Sequence, residues 1–287
     1  MFEMMVDARN QLGECVLWDD RGERVLWTDI LGSTLWSHHP ASGITQSWPM
    51  PEKVASFALT NSDDRLLLGL ASQLAFFDFS TGEFTAIVAV EKGLTTRLND
   101  GRCDRQGRFV FGTFNEAEPR ERIGGFYRLN HDLTLERLLL ENCAIANSIC
   151  FSPDGATMYY ANSPDRAIRC CDYDVVTGAV SNDRVFAELD GELGEPDGSC
   201  IDAEGHLWNA QWGASRVVRY APDGSVDRIV ACPAVQPSCV AFGGPDLDVL
   251  YVTSARIGLA DPAQADGACF QLGTTLRGLP ESRAFPI

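Results

Sequence analysis

The sequence predicts an all-β protein, a six-bladed β-propeller with four-stranded antiparallel blades. Three observations predict it. A tight turn recurs at Asp20-Arg-Gly22, Asp63-Asp64, Arg105-Gln-Gly107, Pro153-Asp-Gly155, 203–205 and Pro245-Asp246, about every 40 to 50 residues. Each unit reads strand, short turn, strand, loop, strand and a weaker fourth strand; the fifth shows it at 199–202, 206–211, 216–220 and 226–230. A period in the forties built from four short strands is the signature of propeller blades, since a lone blade exposes two apolar faces that only neighbours can cover. The third observation is a register of polar residues: eight positions before the six turn anchors stand Glu14, Ser56, Asn99, Asn147, Asp197 and Ser238. Equivalent positions on innermost strands form one ring around the channel of a propeller.

Taken in order, the segment 1–7 alternates weakly as a strand and precedes the first full blade, whereas the last repeat offers three strands, at 239–242, 249–253 and 268–272. The amino-terminal segment is therefore expected to supply the outer strand of the last blade and close the ring, removing exposed edges. Residues 273–287 are expected as an irregular tail over that blade, and 1–287 as a single domain. Blade one carries strands around Trp18, Trp27 and Trp36, which packing between blades explains; Gly13 is expected to let the chain turn sharply before Glu14. Blade two contributes only Ser56 to the ring. Blade three brings Arg97-Leu-Asn-Asp-Gly101, where Arg97 shares the strand phase of Asn99 and can offer a forked donor to a polyhydroxy ligand or a carboxylate, or pair with Asp100 or Glu116. The polar loop 116–123 overhangs the mouth or is solvated. Blade four carries Asn147, and blade five Asp197 with Trp212, a residue suited to stacking on a sugar or to packing between blades. Blade six carries Ser238; its Gly243-Gly-Pro is turn chemistry, because no helix follows.

Four of the six ring positions offer a carboxylate or amide oxygen, and hard oxygens converging on one axis suit a divalent cation. Strand-end capping is the structural alternative for each position alone. The charge balance, 23 Lys+Arg against 40 Asp+Glu for a net −17, argues against nucleic acid or an acidic membrane surface as partner. No apolar stretch suits a signal peptide or a span, so a cytoplasmic protein is expected. The ten cysteines show no metal-binding spacing and are expected as reduced core thiols. None of the four histidines falls on the ring.

The segments Leu12-Gly-Glu14, Arg97-x-Asn-Asp-Gly101, Asn147 before Ser152-Pro-Asp-Gly155, and Pro196-Asp-Gly-Ser199 followed by Gly205-x-Leu-Trp208 together resemble the SMP-30/gluconolactonase/regucalcin-like family of six-bladed propellers, which includes bacterial sugar-acid lactonases. The resemblance spans essentially the whole chain. It implies one divalent cation (Ca, Mg, Mn, Zn or Fe(II)) held by Glu14, Asn147 and Asp197, with Asn99 beside it and Arg97 and Glu116 touching the substrate. It implies hydrolysis of a sugar-acid lactone, such as a xylono-, arabinono-, galactono- or gluconolactone, to the aldonic acid in oxidative sugar catabolism. Arg97, Asn99 and Asp100 would hold substrate hydroxyls. Two roles are open to Asp197, catalytic base or metal ligand only. Leu98 departs from the proline or aromatic common in related lactonases, and the loop 117–123 is short. The alternative is a non-catalytic calcium-binding or protein-docking propeller; a propeller hydrolase of aryl esters or organophosphates would want an apolar mouth and a histidine near the metal. The particular sugar, the cation and the oligomeric state are not encoded in any of these motifs.

Overall fold

The computed structural model describes residues 1–189, 191 and 193–284. Twenty-four strands form six four-stranded antiparallel sheets, and the described residues contain no α-helix, only one 3-10 turn at Ser163–Asp165. The sheets are the expected blades. Their inner strands, Gly13–Asp19, Val54–Leu59, Thr96–Cys103, Ala146–Phe151, Glu195–Ile201 and Gln236–Gly243, neighbour one another around the axis and close the ring from the sixth back to the first. The ring closes as anticipated: Glu3–Val6 pairs with Cys269–Gly273 as the outer strand of blade six.

Burial grades outward along each blade. Inner strands such as Val54–Leu59 are buried on both faces, so they read as continuous apolar or small residues, whereas outer strands such as Ile44–Pro49 and Val226–Ala231 are largely exposed and admit charge. Aromatic rings fill the wedges between blades. Trp18 of blade one stacks on Tyr251 of blade six at 6.1 Å, and Trp208 of blade five meets Phe242 of blade six edge-on at 5.7 Å. The ten cysteines are free and buried, as expected.

The ring of polar residues has a backbone cause. Every inner strand carries one extra residue relative to its neighbour at the ring position: between Glu14 and Leu17, Val54 and Ser56, Leu98 and Gly101, Asn147 and Cys150, Pro196 and Ser199, and Pro237 and Cys239. Such bulges break the alternation and re-aim a side chain. Here they turn Glu14, Asn99, Asn147 and Asp197 to the channel mouth on strands otherwise devoted to core, whereas Ser56 and Ser238 do not line it and Ser238 Oγ donates to Gly13 O and bonds Thr253 Oγ1. In blades one and four the bulge places Cys15 (φ 47) and Ser148 (φ 61) in the left-handed region. Gly13 is not in that region; what it supplies is space, since a Cβ there would stand 2.6 Å from the Ser254 carbonyl oxygen. Gly198, after Asp197, likewise lets the strand pass against Cys239.

The carboxy-terminal segment differs from the expected cover over blade six. It crosses the turn end of the channel. Gly278 N–H donates to Leu247 O of blade six, Ala203 N–H of blade five donates to Arg277 O, and Glu281 pairs with Arg102 of blade three at 2.7 Å. Arg283 then reaches Thr60 O and Asp19, and Ala284 N–H donates to Leu59 O. The turn ends of the inner strands present unpaired backbone groups and the buried Arg102, and one crossing strap satisfies them together. Residues 285–287 of the anticipated tail lie outside the described residues.

Candidate active site at the open mouth of the channel

The other end of the channel opens into a cavity of about 500 Å³. Glu14, Arg97, Asn99, Glu116, Asn147 and Asp197 all line it, so the structure brings together six of the seven residues singled out from sequence. Asp100 is the exception. Its carboxylate turns away from the cavity within the bulge of blade three, and Oδ2 accepts the Ile149 N–H of blade four at 2.7 Å. It braces two inner strands.

A chain of hydrogen bonds fixes the polar floor. Arg97 Nη1 donates to Asn99 Oδ1 at 2.6 Å; Asn99 Nδ2 donates to Ala146 O at 2.8 Å and to Asn147 Oδ1 at 3.0 Å. Arg97 can only donate and a carbonyl can only accept, so the orientation of the Asn99 amide is fixed from both sides. Asn147 Nδ2 in turn donates to Ser163 Oγ at 2.8 Å. The Asp197 main chain is held as firmly: Ser148 Oγ and Asn209 Nδ2 both donate to its carbonyl oxygen, at 2.7 and 2.9 Å.

Arg97 is 4% exposed, lies over the Phe114 ring at 4.4 Å and pairs with Glu116 at 3.3 Å. Glu116 also binds Lys53 of blade two. The Arg97–Glu116 pair weighed as a structural alternative therefore exists, and it stands in the cavity wall. Burial lowers the Arg97 guanidinium to about 10, against the raising effect of Glu116.

The carboxylates are under electrostatic tension. Burial first, then repulsion from Asp100, pushes Glu14 up to about 8; burial, then Glu14, holds Asp197 well above the usual carboxylate range. Asp197 Oδ1 is buried without a hydrogen-bond partner among the described residues. A buried, unpartnered carboxylate oxygen facing a second carboxylate and an oriented amide oxygen lacks positive charge, and three hard oxygens from three blades fit a divalent cation.

A second acidic group, Asp202, Glu204 and His206, lies on the hairpin of blade five. Arg219 binds it instead: its guanidinium meets Asp202 at 2.8 Å and Glu204 at 2.6 Å. Sequence reasoning missed Ser163 and Arg120 in the cavity lining and Lys53 behind Glu116, and held Trp212 between two roles; Trp212 lines the cavity. Ser163 carries no motif, because it enters from the loop after a second strand, where spacing to the ring is not repeated.

Fold and site define a six-bladed propeller with an acid- and amide-lined channel mouth. The chain belongs to the SMP-30/Gluconolactonase/LRE-like family, whose model matches residues 12–256. It is 53% identical over 285 residues to an L-arabinolactonase of Azospirillum brasilense, covering 98% of this chain and 94% of that protein. It is 32% identical to regucalcin of Gallus gallus over 97% of this chain and 96% of that protein. Among solved structures, the calcium-binding protein regucalcin from Agrobacterium tumefaciens str. C58 superposes with a TM-score of 0.92 at 33% identity, covering 98% of this chain and 96% of that one.

Proposed function

We propose that this protein hydrolyses a sugar lactone to its aldonic acid, with a divalent cation held by Glu14, Asn147 and Asp197, and that L-arabinonolactone is its substrate. As an enzyme it is a lactonase: the L-arabinolactonase to which it is 53% identical matches nearly its full length. The observation that carries the metal part of the reading is the buried, unpartnered Asp197 Oδ1 facing Glu14.

When bound, a divalent cation supplies a Lewis acid at the lactone carbonyl. The remaining work belongs to the chain. Arg97 offers its guanidinium to the hydroxyls of the sugar ring, and Glu116 and Asn99 hold it in the orientation that does so. Leu31, Phe114, Ile145, Trp212 and Ile257 give the cavity apolar walls that limit water around the reacting ester. Asp197 receives the proton of the attacking water, on the carboxylate oxygen not facing the cation, as the water oxygen bonds to the carbonyl carbon. The ring C–O bond then breaks, its electron pair stays on the ring oxygen, and that oxygen takes back from Asp197 the proton it removed from the water, giving the hydroxyl and restoring the carboxylate. Asp100 has no part in substrate contact in this account; it braces the bulges on which Asn99 and Asn147 sit.

The test is acid release from L-arabinono-, D-xylono-, D-galactono- and D-gluconolactone by chelator-treated protein, with and without each of Ca, Mg, Mn, Zn and Fe(II). Cation-dependent hydrolysis with preference for the arabinono compound supports the proposal. A rate equal to spontaneous opening under every condition would overturn it in favour of a binding propeller.

A further inference from the structure

We propose that Ser163 is a positioning residue for Asn147: by holding the amide nitrogen against the wall while Asn99 holds the oxygen, it locks the end of that amide that faces the channel axis, and so equips the position to act as a cation ligand. The inference rests on the divalent-cation reading above.

Ser163 begins the only 3-10 turn among the described residues, directly after the second strand of blade four, and is 3% exposed. Its backbone N–H is spent on Ile145 O. Its hydroxyl stands between blades four and five: Oγ donates to Pro196 O at 2.7 Å and accepts from Asn147 Nδ2 at 2.8 Å. A serine hydroxyl has one proton. The Pro196 carbonyl can only accept, so that proton is committed to it, and the Asn147 group facing Ser163 must be the one that donates. The amide nitrogen is thereby pinned to the wall and Oδ1 is left for Asn99 and the axis.

Without this anchor the Asn147 amide would be held only through the single Asn99 bond to its Oδ1, its NH2 would lose its partner on the wall, and an NH2 swung toward a cation is repulsive. Pro196 immediately precedes Asp197, so the same hydroxyl ties the amide on blade four to the strand bearing a second candidate ligand. Two acceptor-only and donor-only ends, Arg97 at one and Pro196 O at the other, thus set the sense of the whole row Arg97, Asn99, Asn147, Ser163. Outer partners of this kind orient metal ligands, and their loss typically weakens metal binding by about 10- to 100-fold.

The test is calorimetric titration of chelator-stripped protein with Ca2+, Mn2+ and Zn2+, each variant's metal-free thermal midpoint being recorded beside it. Ser163→Ala is expected to weaken cation binding by about 10- to 100-fold, while Ser163→Thr, which keeps the hydroxyl, binds as the unsubstituted protein does. In an Asn147→Ala background, Ser163→Ala is expected to cost nothing further, because its effect passes through the amide. Should the alanine variant fail to fold, Ser163→Cys, close in size but a weak hydrogen-bonding group, carries the same comparison. Unchanged affinity in Ser163→Ala or Ser163→Cys, or an equal loss with and without Asn147, would overturn the assignment. An unsubstituted protein that binds none of the three cations overturns the cation reading itself, and the role of Ser163 with it.

Discussion

Arg97 is a single residue at the mouth that serves the fold and, in the proposed function, the substrate as well. Its charge is buried, satisfied by Asn99, Leu98 O and Glu116, and flattened against Phe114. A lysine cannot reproduce that planar fork. Hydrogen bonds to charged groups contribute about 1.5 to 3 kcal/mol, so Arg97→Lys and Arg97→Ala are each expected to lower kcat/KM by about 10- to 100-fold; steady-state kinetics on the preferred lactone checks it, and an unchanged value removes Arg97 from substrate contact. Glu14 carries a pH prediction. Its carboxyl is raised from 4.5 to about 8 in the folded protein, chiefly by burial, so between those values the native state holds a proton that the unfolded chain has released. The stability this group contributes is fully present below the unfolded value and is lost as pH rises through the folded one. Metal-free protein should therefore melt at lower temperature at about pH 8 than at about pH 5, with a shallower decline in Glu14→Gln; an equal slope in that variant contradicts the account. At this scale the sequence was informative where a residue is tied to the repeat. Glu14, Asn99, Asn147 and Asp197 were legible because one bulge recurs in every inner strand, whereas Lys53 and Ser163 enter from loops with no shared register. Asp100 was misplaced for the same reason: an extra residue in the bulge decides which neighbour faces the axis, and strand phase cannot reveal it.

At the scale of the element, the seam of the ring is the point of greatest leverage. Glu3–Val6 is a short strand whose own contribution is small, yet it covers the edge of Cys269–Gly273, and Phe2 beside it is buried in the core between blades five and six. Removing residues 1–6 exposes a sheet edge and forfeits the burial of an aromatic ring, worth about 1.5 to 3 kcal/mol. The truncated protein is expected to melt at lower temperature and to associate with rising concentration in light scattering; a monodisperse product of unchanged midpoint would show that the seam is dispensable. Blade strands were legible because apolar runs alternate with Gly, Asp and Pro turns. The tail was not: residues 277–284 lack a periodic apolar pattern, and their path is set by scattered partners on five blades.

For the whole molecule, the two ends of the channel divide the labour. The open end gathers carboxylate and amide oxygens, among them the unpartnered Asp197 Oδ1, and the closed end is sealed by ion pairs, among them Arg102–Glu281, with side chains 10% and 15% exposed. Removing one partner leaves a largely buried charge, so Glu281→Ala is expected to cost on the order of 2 to 4 kcal/mol, and replacing both residues with apolar ones to recover most of it; urea denaturation measures both. A loss equally large in the double variant would mean that the pair does not act as a unit.

The central claim is that bulged inner strands gather Glu14, Asn147 and Asp197 around one cation at the mouth. Anomalous diffraction from crystals soaked in Mn2+ tests it most directly. The account predicts one strong peak within coordinating distance of all three side chains and none at Asp202, Glu204 and His206, where Arg219 already supplies the positive charge. An empty channel mouth, or a peak at the blade-five hairpin instead, would contradict it.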